Sequence, residues 1–187
     1  MIYQIIAIIL VDSLLIKRLG DGMDGKSPRG AAIRKLLASA MFLLALTSSG
    51  RAQSAPDFAL KDVIRGQEYT LSQFKGKVVL LNFFTFLCKP CKEEMPFLNQ
   101  IDQEFKSRGF QTIGIGLAST PAELRSLAQQ LGLGYPVLEG TDQVSNAYGK
   151  VEFVPTTFII DRQGQIVHKI FEARSKADLV KLIQPLL

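Results

Sequence analysis

The stretch Phe83–Pro96, FFTFLCKPCKEEMP, decides how this chain is read. It holds the only two cysteines, Cys88 and Cys91, separated by Lys89 and Pro90. An apolar run (Val78, Val79, Leu80, Leu81, Phe83, Phe84) comes just before them and a helical pattern just after, so the pair sits at a strand-to-helix junction. Positions i and i+3 of a helix share a face, which lets the two sulfurs meet. A thiol at a helix start feels free backbone N–H groups and the positive end of the macrodipole. That setting takes a cysteine from a pKa of about 8.5 into the range of roughly 3.5–7.5, making it a nucleophile at neutral pH. Cys88 holds that place. Lys89 adds a positive charge beside it, and Pro90, without an N–H, suits the first helical turn.

Other readings of the pair are open at this level. A structural disulfide across two residues would constrain little of the unfolded chain. A zinc site needs four ligands, and beyond the cysteines the one histidine is His168. Two thiolates suit copper(I), as in a metallochaperone, though no Met/His cluster accompanies them. Thr85 and Cys88 match half of the peroxiredoxin signature P-x-x-x-T-x-x-C, with Leu81 where its proline belongs. The position of the pair between strand and helix favours redox work over these.

Around this stretch the elements alternate. Lys77–Phe84 reads as a strand, preceded by Leu71–Gly76 and a hairpin of Phe58–Leu60 with Gln67–Thr70, and Gln53–Asp57 reads as a linker. A helix over Pro90–Lys106 buries Cys91, Glu94, Leu98, Ile101 and Phe105, and Pro96 is expected to kink it. Glu94 is therefore a carboxylate on an apolar stripe, with a pKa expected to be raised by desolvation, while Glu93 faces solvent. Gly109 closes this helix, and Phe110–Leu117 follows as a parallel strand. Thr120 caps a helix that Gly132 ends. Tyr135–Leu138 is a strand, Gln143–Tyr148 a short helix, Thr157–Ile160 and Gln165–Phe171 a hairpin, and Ser175 caps a last helix. The fold class is α/β, a central mixed sheet flanked by helices.

The leader, residues 1–52, is set apart by charge. It carries seven Lys/Arg against three Asp/Glu, a net +4, whereas the remainder carries fifteen against fourteen, a net +1. The basic balance therefore gives no reason to expect nucleic acid as a partner. Lys26, Arg29, Arg34 and Lys35 precede the apolar run Leu36–Leu46 and a small-residue segment ending at Ala52, the layout of a secretory signal. Met23 is an alternative translation start. Ile2–Ile16 reads as a rival membrane anchor, broken by Asp12. Either reading puts the domain 53–187 in the periplasm or elsewhere outside the cytoplasm, where disulfides persist.

Three segments in order, FKGKVVLLNFF (74–84), CKPCKEEMP (88–96) and VPTTFIID (154–161), resemble the thioredoxin superfamily. Within it they are most similar to the extracytoplasmic TlpA/ResA/CcmG-like thiol-disulfide oxidoreductases, over roughly Ala55–Leu187. The resemblance implies a thioredoxin-like fold, in which the helix and strand at 121–138 look like the insertion of that branch. It implies disulfide exchange in exported proteins, as a reductant, with an apocytochrome c as one substrate and a membrane thiol transporter as electron donor. No cofactor is implied beyond a redox-active disulfide. Cys88 corresponds to the attacking thiol, Cys91 to the resolving one, and Glu94 to a proton-relay glutamate. Pro155 corresponds to a cis-proline that turns the backbone of Val154 toward substrate. Leu87, Lys89 and Pro90 are then the flanking substrate contacts. Leu87 departs from the pattern, which has tryptophan there, and Asn82 stands where thioredoxins proper carry a buried aspartate.

Overall fold

The computed structural model describes residues 53–187, so the signal, anchor and start-site expectations for the leader lie outside the described residues. Six strands form one sheet in the order β1-β8-β7-β4-β5-β6. They are β1 (Gln53–Ser54), β4 (Val78–Phe84), β5 (Phe110–Gly116), β6 (Val137–Glu139), β7 (Thr156–Ile160) and β8 (Gln165–Ile170). A separate hairpin pairs β2 (Ala59–Lys61) with β3 (Glu68–Thr70). The helices are α1 (Lys89–Phe105), α2 (Pro121–Gln130), α3 (Asp142–Ala147) and α4 (Lys176–Ile183). None of the described helices is long and apolar enough to cross a membrane.

Strand β4 is central because every one of its residues is buried. It pairs in parallel with β5 and antiparallel with β7, so the sheet is mixed as expected. Its side chains alternate between two cores. Val78, Leu80 and Phe84 pack with Met95, Leu98, Ile101 and Phe105 of α1, while Val79, Leu81 and Phe83 pack with Phe58, Leu71, Tyr148 and Phe158 on the other face. Asn82 shares its parity with Leu80 and Phe84 and so enters the α1 side. It is the one polar interruption of this strand.

Helix α1 continues past its internal Pro96, and Gly109, at φ 80°, closes the short 3-10 turn that follows it. Helix α2 begins with the full capping box, Thr120 accepting from the Glu123 N–H and Glu123 reaching back to the Thr120 N–H. Two expectations need correction. Residues 53–54 are not linker but the edge strand β1, held antiparallel to β8 through the register Gln53↔Ile166. The strand expected over 135–138 starts only at Val137, because Tyr135 turns its ring into the core and Pro136 offers no N–H to a ladder.

Candidate active site

The disulfide sits where β4 hands over to α1. After Phe84 the chain turns through a Cys88 N–H to Thr85 carbonyl bond at 3.2 Å, and the Phe86 N–H donates to Ser119 Oγ at 2.9 Å, pinning the turn to the loop after β5. Cys88 is the N-cap of α1 in extended conformation. Its Sγ is bonded to Cys91 Sγ at 2.06 Å, with Cα atoms 5.3 Å apart, and accepts the Cys91 backbone N–H at 3.2 Å. The two sulfurs are not equivalent. Cys88 is half-buried and Cys91 is 1% exposed, one turn inside the helix.

Pro155 is buried and its peptide bond with Val154 is cis, as the resemblance implied. The Val154 carbonyl oxygen lies 3.7 Å from Cys88 Sγ, so the two segments expected to form one site do meet. Thr156 Oγ donates to the Phe153 carbonyl at 2.7 Å and fixes the loop that presents Val154. Leu87, Lys89 and Pro90 are exposed around the sulfur pair. Lys89 reaches Glu93 at 3.8 Å, so its charge is shared with that carboxylate rather than directed wholly at Cys88. Glu93 is solvent-facing, as its place on the helix implied, and His168 lies half-buried on β8 opposite Ile159.

Glu94 is 2% exposed, one turn after Cys91. Its carboxylate accepts the Arg174 backbone N–H at 2.8 Å and lies 3.4 Å from the Asn82 amide nitrogen. Burial pushes its pKa above the ordinary range, and these two donors oppose the shift without cancelling it. Asn82 also donates to Thr157 Oγ1 at 2.8 Å, which links the acid to β7 two residues beyond Pro155. Asn82 was visible as a polar residue in an apolar strand, but its partners lie 12 and 75 residues away. The Arg174 contribution comes from backbone and left no mark in residue type. A second buried acid, Asp102, lies two turns further along α1. It accepts the Thr112 N–H at 2.6 Å, and burial raises its pKa as well.

Among the described residues, no three His, Cys, Asp or Glu side chains stand together in a group fit to hold a metal ion. What the residues do bring together is a half-exposed sulfur at a helix N-terminus, a shielded partner sulfur and a buried acid. That set suits nucleophilic exchange followed by proton transfer.

Residues 52–169 match the AhpC/TSA family. The chain is 35% identical over 144 residues to the thiol-disulfide oxidoreductase ResA of Geobacillus kaustophilus, covering 76% of this chain and 82% of that protein. ResA of Bacillus subtilis is 33% identical over 142 residues, covering 74% and 78%. Among solved structures, a thiol:disulfide interchange protein of the thioredoxin family from Chlorobium tepidum superposes with a TM-score of 0.70 at 30% identity, over 74% of this chain and 99% of the other.

Proposed function

Since the chain belongs to the AhpC/TSA family and is a thiol-disulfide oxidoreductase like its ResA relatives, we propose that it works as a reductant of disulfides in exported proteins. An apocytochrome c is one such substrate, and a membrane thiol transporter restores the dithiol. The domain 53–187 would operate outside the cytoplasm behind the leader, which exports it or tethers it to the membrane.

The observation that carries this reading is the inequality of the two sulfurs. In the reduced protein Cys88, at the helix N-terminus, carries the thiolate that attacks one sulfur of the substrate disulfide. The substrate's other sulfur leaves as a thiolate and takes up a proton, and a mixed disulfide remains. Cys91 then loses its proton and attacks the Cys88 sulfur, releasing the second substrate thiol. Two electrons pass from the dithiol to the substrate, and the Cys88–Cys91 disulfide forms. Glu94, whose affinity for a proton is raised by burial, is the group that exchanges protons with Cys91. Val154 offers its carbonyl beside the sulfur, and its N–H has no partner among the described residues, so an extended substrate backbone can pair there. Leu87, Lys89, Pro90 and Pro155 complete the contact surface. A disulfide already closed between adjacent turns supports dithiol chemistry over a single peroxidatic sulfur.

The test is the redox equilibrium of the full chain with glutathione, read by alkylation of free thiols. A potential near or below about −200 mV supports a reductant, while one near the roughly −120 mV of a strong oxidant overturns that direction. A cysteine pair that does not exchange with glutathione at all overturns the activity.

A further inference from the structure

Lys92 stands one turn into α1, and its backbone N–H donates to the Cys88 carbonyl at 3.2 Å. The two residues therefore share a helix face, and the Lys92 side chain leans back toward the helix start. There its ammonium rests over the Phe86 ring, with Nζ 4.4 Å from the centroid. Phe86 lies two residues before Cys88, and its own N–H is pinned by Ser119 Oγ at 2.9 Å. Phe86 and Cys88 pack against the same core. The cation is thus bracketed by the segment that leads into Cys88 and by the helical turn that leaves it. Lys92 is half-buried there, whereas Lys89 is exposed.

Among the described residues no carboxylate answers Lys92. The other charges on the segments that meet at the sulfur are matched. Lys89 sits against Glu93 at 3.8 Å, Lys150 against Glu152 at 2.8 Å, and Arg174 against Glu172 at 2.6 Å. Glu123, on the helix that follows the Ser119 loop, is taken up by Thr120. Buried Glu94 accepts from the Arg174 N–H and lies beside the Asn82 amide, and its charge would oppose a thiolate rather than favour one. An aromatic face attracts an ammonium without cancelling its charge. Phe86 therefore holds the cation in place and leaves its field available to the sulfur.

Resting on the disulfide-exchange reading above, we infer that Lys92, seated on Phe86, is the fixed cation that stabilises the Cys88 thiolate in the reduced protein. Both are positioning residues that act through Cys88, Lys92 by its charge and Phe86 as its seat. The helix N-terminus supplies one part of that stabilisation and Lys92 a separable second part. Two consequences have opposite signs. More thiolate at neutral pH speeds attack on a disulfide. A stabilised thiolate also favours the dithiol over the disulfide, which raises the reduction potential and weakens the protein as a reductant. Lys92 thus raises the rate and lowers the driving force.

The experiment uses the reduced full chain. It reads the pH dependence of iodoacetamide alkylation at Cys88 by mass spectrometry, beside the equilibrium with glutathione. Lys92→Gln should raise the midpoint of the alkylation profile by about half a pH unit, which is roughly threefold less thiolate below it. Above both midpoints the order of alkylation rates reverses, because the thiolate of higher proton affinity is the stronger nucleophile. At that pH the glutathione equilibrium should move about threefold toward the disulfide form. Lys92→Arg keeps a charge that stacks on the ring and should retain the wild-type midpoint. Phe86→Leu keeps apolar packing but frees the ammonium, and should shift the midpoint in the same direction by less. A merely structural Lys92 would move neither the midpoint nor the equilibrium. An unmoved midpoint in Lys92→Gln, a midpoint that Lys92→Arg fails to keep, or a larger shift from Lys89→Gln than from Lys92→Gln overturns the proposal. If wild type never exchanges with glutathione, the oxidoreductase reading itself falls and this proposal with it, whereas normal exchange with an unmoved midpoint overturns the proposal alone.

Discussion

Glu94 accepts the backbone N–H of Arg174 at 2.8 Å, which ties the first helix to the loop that enters the last one, 80 residues away. A charged carboxylate and a neutral carboxyl can both accept that bond. The tie therefore holds the acid in place in either protonation state, while burial raises its affinity for the proton.

The pH dependence of stability follows from that burial. The native pKa of Glu94 lies above its ordinary value of 4.5, so the native state retains a proton that the unfolded chain has released. Below that ordinary value both states are protonated and no stability is lost. As pH rises through the native pKa, stability falls. Asp102 contributes in the same direction, so the comparison must be with a variant. Urea melts of oxidised wild type and Glu94→Gln should converge at low pH and separate toward neutral pH, the variant becoming the more stable. Parallel stability curves would remove the acid from this account.

Asn82 offers a sharper change. Its amide nitrogen is 3.4 Å from the Glu94 carboxylate, so Asn82→Asp would put two buried carboxyls in contact. Like charges that close cannot both ionise, and one proton would be shared between them. The variant should lose stability steeply above about pH 5, near the ordinary carboxylate range. Its rate of disulfide exchange should depend on pH over a window shifted upward from wild type. An unchanged pH–rate profile would show that Asn82 and Glu94 are uncoupled.

Tyr135 is 1% exposed, and among the described residues its hydroxyl has no hydrogen-bond partner. Burial, with Glu94 and Asp102 nearby, pushes the phenol pKa upward and keeps it neutral. An unmade buried hydrogen bond costs about 1–3 kcal/mol. Tyr135→Phe should therefore be neutral or stabilising by up to that amount in denaturant melts. A loss of more than about 1 kcal/mol would reveal a bridging water between this hydroxyl and its neighbours.

Thr120 closes the capping box at the start of α2. Thr120→Ala should cost about 0.5–2 kcal/mol of stability. It should leave the glutathione equilibrium where it was, because the bonds of the cap join Thr120 and Glu123 alone and include neither cysteine.

The legible parts of this molecule were those written in local spacing. The spacing of Cys91, Glu94, Leu98, Ile101 and Phe105 puts the acid on the apolar face of the helix, and the structure buries all five residues. The hairpin of β2 with β3, the parallel β4–β5 pair and the caps at Thr120 and Ser175 followed from the same kind of signal. The strand β1 did not, because two residues show no period and their pairing depends on the exposed edge of β8. The environment of Glu94 was hidden for a different reason. One of its donors is a backbone N–H, and the other acts across the strand–helix interface.

The central claim is the division of labour between the sulfurs, and single cysteine variants test it most directly. Cys91→Ser leaves the half-exposed sulfur at the helix N-terminus with no resolving partner. It should accumulate a mixed disulfide with a substrate peptide, visible by mass spectrometry and reversed by dithiothreitol. Cys88→Ser leaves only the shielded sulfur and should accumulate little or none under the same conditions. Equal trapping by both variants, or trapping by Cys88→Ser alone, would contradict the assignment.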